Sequence, residues 1–116
     1  MGDLRANFSR SEFTCADCGH YEPIDDRLLD VLQRARTATG RPLNIVSGFR
    51  CCEQNRRVGG YRYSQHLYGR AADVPRNYGT VQDWTRWGAV GIGVRGGGVI
   101  HVDVTPGRGT FVFDDN

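Results

Sequence analysis

The stretch GIGVRGGGVIHVDVTPGRGTFVF, residues 91–113, decides the fold class. Its short runs GIGV, VIHVDV and FVF are separated by the glycines 96–98 and by Pro-Gly-Arg-Gly at 106–109, so the tail reads as successive short antiparallel strands joined by turns. Within VIHVDV the two-residue period of a strand puts His101 and Asp103 on one face and Val102 and Val104 on the other. The valines suit a buried face. The opposite face then carries an imidazole beside a carboxylate, which is costly inside a protein unless a cation or hydrogen bonds satisfy it.

Upstream of this tail the pattern turns helical. TVQDWTRWGAV, from Thr80, is a helix candidate with Trp84 and Trp87 on one inward side. DDRLLDVLQRARTATG, residues 25–40, is the clearest helix: Asp25 or Asp26 can cap it, Leu28, Leu29, Leu32, Ala35 and Ala38 form one apolar stripe, and Gly40 closes it. Ser9 and Glu12 are spaced as a capping box. Between the helices, LNIVS after Pro42 reads as a short buried strand, EQNRRV as a short helix, and Ala71 to Val74 as a strand. Helices that precede hairpins predict an α+β fold, a small antiparallel sheet with two or three helices. The expected organisation is a single domain over 1–116, with the cysteine-containing loop 1–24 packed on it.

Composition narrows the function classes. At 116 residues the chain fits one domain, and 39% hydrophobic with 24% charged residues is ordinary for a globular protein, which argues against disorder or a membrane span. All 15 basic residues are arginine, but 13 acidic residues leave a net charge of only +2, too weak a bias to indicate nucleic acid. MGDLRANFSRSEF holds no apolar run, so neither a secretory signal nor a membrane segment is expected there. Synthesis in the cytoplasm follows from that reading, with action outside only after release or as a domain of a longer product. Four cysteines, Cys15, Cys18, Cys51 and Cys52, permit two disulfides, free thiols, or a structural zinc at Cys15 and Cys18 with Cys51 or Cys52, where His20 could replace one ligand. The sequence leaves these alternatives open.

SQHLYGRAADV, residues 64–74, places His66 seven positions before Asp73. With His101 and Asp103 this makes two imidazoles and one or two carboxylates, the ligand types of a catalytic zinc that keeps one position for water. Taken singly, His66 fits a capping or surface histidine and Asp73 a polar residue at a strand boundary. Spacing alone leaves metal and accident both standing.

SGFR at 47–50, VGG at 58–60, SQHLYGRAAD at 64–73 and HVD at 101–103 follow the order and approximate spacing found in the zinc D-alanyl-D-alanine carboxypeptidase family. The chain resembles that family over nearly its whole length, and the S-x-H-x-x-G-x-A-x-D element is highly specific. The family belongs to the group of zinc peptidases that also holds the hedgehog signalling domain, so the resemblance implies that fold. It further implies a zinc ion held by His66, Asp73 and His101, with Arg50 reaching a substrate carboxylate or an adjacent carbonyl. Ser64 would hydrogen-bond beside the site. The implied reaction is hydrolysis of peptidoglycan stem peptides, by a carboxypeptidase that trims D-alanine or by an endopeptidase of the phage endolysin kind. A monomer without nucleic-acid or membrane partners is expected. These roles suit the residue types: Gly69 permits a sharp turn, Ala71 and Ala72 leave room, and the arginine fork matches a carboxylate.

In better-known members a histidine, aspartate or glutamate lies two or three residues before the last zinc histidine and serves as base. Those positions are Val99 and Gly98 here, and neither carries a proton. Asp103 is the nearest substitute, either as the base or as an orienter of a ligand or of Arg50; Glu53 and His20 are remoter choices. The missing base also permits a rival reading, a non-catalytic zinc-containing module that binds peptide or cell wall. A small zinc-knot domain would account for CADCGH at 15–20 but leaves residues 64–73 and 101–103 unexplained. Bound zinc together with cleavage of muropeptides separates the peptidase from both rivals.

Overall fold

Asp25 starts helix α1 (Asp26–Thr39) by accepting a hydrogen bond from the Arg27 amide at 2.8 Å. Its own N–H donates to the Gly69 carbonyl at 2.9 Å, which ties the helix start to the turn that leads into the sheet. The structure, a computed structural model, describes residues 4–15, 24–48, 69–107 and 109–114. The expected helix at EQNRRV and the loop around it lie outside the described residues.

Helix α1 buries Leu28, Leu29, Val31, Leu32 and Ala35, and Gly40 ends it in the left-handed region at φ 65°. Ala38, expected in the apolar stripe, is exposed instead, although the next residue, Thr39, meets the Tyr78 hydroxyl at 2.6 Å. Helix α2 (Val81–Arg86) is short but doubly capped: Thr80 accepts from the Asp83 amide at 3.0 Å, and Asp83 accepts from the Thr80 amide at 3.1 Å. It carries Trp84 into full burial, with Trp87 edge-on at 5.0 Å between ring centroids. At the other end of the chain, Glu12 accepts from the Ser9 amide at 2.8 Å, as the capping-box spacing predicts, around a single 3-10 turn at Arg10–Glu12.

Four strands form one sheet in the order β1-β3-β2-β4: β1 (Ala71–Asp73), β2 (Gly91–Arg95), β3 (Gly98–Asp103) and β4 (Phe111–Asp114). The fold is a small α+β arrangement with a mostly antiparallel sheet and two α-helices among the described residues. The tail departs from the expected run of antiparallel strands at one point, since β4 pairs with β2 in parallel. Both edges of β3 are already taken by β1 and β2, so the chain must cross roughly two strand spacings, about 10 Å, to reach an open edge. It reverses direction on the way. A strand antiparallel to β3 on the far side of β2 is necessarily parallel to β2.

LNIVS is also not a strand. Ser47 makes an isolated bridge to Asp73, with the Asp73 amide donating to the Ser47 carbonyl at 2.7 Å and the Val46 amide to the Asp73 carbonyl at 2.9 Å. The ladder stops there because the next antiparallel partner on the β1 side is Pro75, which has no N–H to donate. Leu43 still turns into the core, while Val46 is left exposed.

A bulge in β3 decides which side chains share a face. Gly93 pairs with His101 but Val94 pairs with Val99, so Ile100 is an extra residue in β3, and its carbonyl accepts from the Val74 amide instead. Val99 and Val102 are three residues apart and would point to opposite sides of a regular strand; both belong to the core. One face of the sheet thus presents Ala72, Val74, Ile92, Val99, Val102 and Val104 to a core shared with α1, Tyr78, Trp84 and Trp87. Register places the rows Ala71–Asp103–Gly91–Phe111 and Asp73–His101–Gly93–Phe113 on the other face.

Candidate metal centre

Two adjacent antiparallel strands bring Asp73 and His101 directly opposite each other on this second face. The Nδ1 of His101 lies 3.6 Å from Oδ1 of Asp73. Two donors on one tetrahedral zinc with bonds near 2.0–2.1 Å are separated by roughly 3.3–3.4 Å, so this spacing is that of a shared ion within a few tenths of an ångström. The residue types fit zinc as well, a neutral imidazole and a carboxylate.

The other ring nitrogen is committed in the opposite direction. His101 Nε2 is 2.8 Å from Oδ2 of Asp103, and both side chains are buried. Oδ1 of Asp103 accepts twice from Thr105, from the amide at 3.1 Å and from the hydroxyl at 2.6 Å. A histidine whose far nitrogen donates to a carboxylate, leaving the near nitrogen facing a second carboxylate, has the outer arrangement common to metal-bound imidazoles. Gly91 makes it possible: a β-carbon there would collide with the Asp103 carboxylate, which lies flat over the β2 backbone. Phe113 borders the imidazole at 5.3 Å between ring centroids, inclined at 68°, and Phe111 stacks on Phe113 at 5.7 Å.

These contacts set the charge state. Burial pulls the His101 pKa down, but the hydrogen bonds and charges of Asp103 and Asp73 outweigh it and raise the imidazole from 6.5 to about 9. Burial pushes the Asp103 carboxyl up, and the bonds from His101 and Thr105 more than reverse this, holding it below the usual carboxylate range. In the metal-free protein an imidazolium therefore sits between two carboxylates, and a metal ion bound at Nδ1 would have to replace its proton. The raised His101 pKa contributes stability that is complete below 6.5 and lost as pH rises through about 9. The lowered Asp103 pKa contributes above 3.8 and is lost as pH falls through its depressed value. Chelator-treated protein is accordingly expected to melt at progressively lower temperature between pH 6.5 and 9.5. If zinc takes the place of the Nδ1 proton, zinc-saturated protein should lose far less; thermal melts across that range check both.

Of the residues singled out from sequence, Asp73, His101 and Asp103 are brought together, and Ala71 is buried beside them. Gly69 has φ 68°, the left-handed turn expected of it. His66, Arg50, Ser64, Glu53, His20, Cys18, Cys51 and Cys52 lie outside the described residues, and with them the expected third ligand and the state of three of the four cysteines. Cys15 is buried in the core beside Phe8 and Phe13. Among the described residues no group of three or more His, Cys, Asp or Glu side chains is placed to hold a metal; Asp73 and His101 supply two donors, and Asp103 stands behind the ring. Also among the described residues, no helix is long and apolar enough to cross a membrane.

Sequence reasoning missed Thr105, Gly91 and Phe113. Thr105 had a signal: an aspartate followed at the second position by threonine and then proline is the pattern of an Asx turn. Gly91 read only as part of a strand, and Phe113 needed the parallel pairing of β4 to be placed. The family model described as Peptidase M15 matches residues 6–103 of the chain. No curated protein matches it significantly.

Proposed function

The chain belongs to the peptidase M15 family, a family of hydrolytic peptidases acting on peptidoglycan, and from that membership we propose that it is a zinc-dependent enzyme cleaving peptidoglycan stem peptides. The observation that carries this reading is the Asp73–His101 pair, with Nδ1 facing the carboxylate at 3.6 Å and Nε2 backed by Asp103. His66 is the proposed third ligand, through the S-x-H-x-x-G-x-A-x-D element that ends at Asp73. When bound, zinc supplies Lewis-acid polarisation of the scissile carbonyl and acidifies a water molecule towards neutral pH.

The chain's own residues do the remainder. Asp73 and His101 hold the ion against the sheet, where backbone pairing on both sides of Asp73 limits its movement. Asp103 fixes the His101 ring. Both of its oxygens are engaged, and it stands on the side of the ring away from Nδ1, which favours the orienting role over that of base. Val99 faces the core, so the position used for the base in better-known relatives serves packing here. Arg50 is proposed to grip a substrate carboxylate and Ser64 to hydrogen-bond beside the ligands. The chain leaves Ser47, backbone-paired to Asp73, only three residues before Arg50.

The test is zinc content by elemental analysis, together with mass spectrometry of fragments released from purified peptidoglycan. Loss of a terminal alanine identifies a carboxypeptidase, and new internal ends identify an endopeptidase. Stoichiometric zinc with no cleavage of any stem peptide would instead make the chain a binding module. Arg50→Lys keeps the charge and removes the two-pronged donor, so turnover on carboxylate-ended peptides is expected to fall about tenfold or more with zinc content unchanged. Unchanged kinetics would remove Arg50 from the substrate site.

A further inference from the structure

We propose that Thr105 is a positioning residue for the metal-binding imidazole, acting through Asp103. The proposal rests on the reading of His101 as a zinc ligand and adds to it the part of the chain that fixes the ligand's direction.

A carboxylate is planar, and the torsion that turns it about its Cβ–Cγ bond is broad and weakly held. Asp103 can aim Oδ2 at His101 Nε2 only if something else stops that rotation. Thr105 does so with two donors on the same oxygen, the amide at 3.1 Å and the hydroxyl at 2.6 Å. The hydroxyl bond is short and charge-assisted, the stronger kind. Two bonds converging on Oδ1 set the carboxylate plane, and the plane sets the line along which Nε2–H is drawn at 2.8 Å. The direction of Nδ1 towards Asp73 follows, since the two ring nitrogens are rigidly related.

Thr105 is itself fixed from the next residue. Pro106 disfavours helical backbone at the residue before it, which narrows the backbone choices of Thr105 around the one that aims its amide at Asp103. Gly107 at φ 75° then lets the chain turn away immediately. Below the carboxylate, Gly91 offers bare backbone, so Asp103 is held from above by Thr105 and meets no side chain from beneath. The run from His101 to Gly107 thus forms one local unit in which a ligand, its orienter, the orienter's clamp and a turn follow at successive odd positions along the chain.

The experiment is a competition for zinc between the protein and a chromogenic chelator at one fixed pH, with thermal melts as a check on folding. Thr105→Val keeps the branched shape and removes the hydroxyl bond; Thr105→Ala removes it without bulk; Thr105→Ser restores it. Loss of an outer hydrogen-bonding partner typically costs about 10–100-fold in metal affinity, and one bond of the two is expected to fall near tenfold. Thr105→Val and Thr105→Ala should both show that loss, and Thr105→Ser should bind within about twofold of the parent. Cobalt-substituted protein adds a spectroscopic readout, with altered visible absorption in the valine and alanine variants and a normal spectrum for serine. Parent-like zinc affinity in Thr105→Val or Thr105→Ala overturns the proposal, as does a loss that serine fails to restore. His101→Ala in the same titration separates the two levels: if it binds zinc like the parent, the reading of His101 as a ligand falls, whereas its loss beside an unaffected Thr105→Val removes the positioning role alone.

Discussion

Replacing His101 by alanine is expected to abolish peptide hydrolysis and to weaken zinc binding by more than about 100-fold, beyond what the loss of an outer partner costs. Among the described residues the ring is the group that touches both Asp73 and Asp103, so its removal deletes the proposed ligand and disconnects its support at once. It also leaves the Asp103 carboxylate buried at 2% exposure with donors on one oxygen only. A buried charge stripped of its partner costs on the order of 3 kcal/mol, so the metal-free variant should melt clearly below the parent. Elemental analysis, muropeptide mass spectrometry and circular dichroism measure the three consequences. A folded His101→Ala protein with full zinc and normal cleavage would dismantle the centre as described.

Asp103→Asn is expected to have the second-largest effect, and for a reason that lies in donor counting. Asp103 accepts on both oxygens, one bond on Oδ2 and two on Oδ1. An asparagine can turn its carbonyl to one side only, and its NH2 must then face either the His101 Nε2–H or the Thr105 amide. Either choice sets donor against donor in a buried place. Zinc affinity should fall by about 10–100-fold, with turnover following zinc occupancy rather than dropping on its own. Restoring zinc to saturation should therefore restore most of the rate. If the zinc-saturated variant remained slower by about two orders of magnitude, Asp103 would be taking part in proton transfer.

The sequence made some of this legible and hid the rest for definite reasons. Helix α1 could be read because its caps and stripe are local: Asp25, the leucines and Gly40 all act within a turn or two of themselves. The shared face of His101 and Asp103 could be read because strand alternation is equally local. What alternation does not tell is which nitrogen meets which oxygen, and so by itself it leaves the orienting and base roles of Asp103 level. The parallel seat of β4 and the failure of residues 43–47 to form a strand depend on which sheet edges are open, a property of the assembled sheet. Pro75 was visible throughout, but its effect on Leu43–Ser47 appears only once the two segments are adjacent.

Ile100, the extra residue in β3, has a consequence for which changes the hairpin can absorb. It acts as a phase shifter: upstream of it, odd positions face the core, and downstream of it even positions do, as Val99 and Val102 demonstrate. A substitution at residue 100 leaves that phase intact, and the half-exposed side chain there has room for several alternatives. Deleting it restores regular alternation: Val99 and Val102 then stand two positions apart on one face, with Gly93 still opposite His101 and Val94 opposite Val99. What the deletion removes is the carbonyl that accepts from the Val74 amide, so the cost falls on the β1 edge. A single residue added or removed between His101 and Asp103 is different, since it would throw one of those two side chains across to the apolar face. The hairpin should therefore absorb changes of length at the Gly96–Gly97 turn and at the bulge, but not between His101 and Asp103.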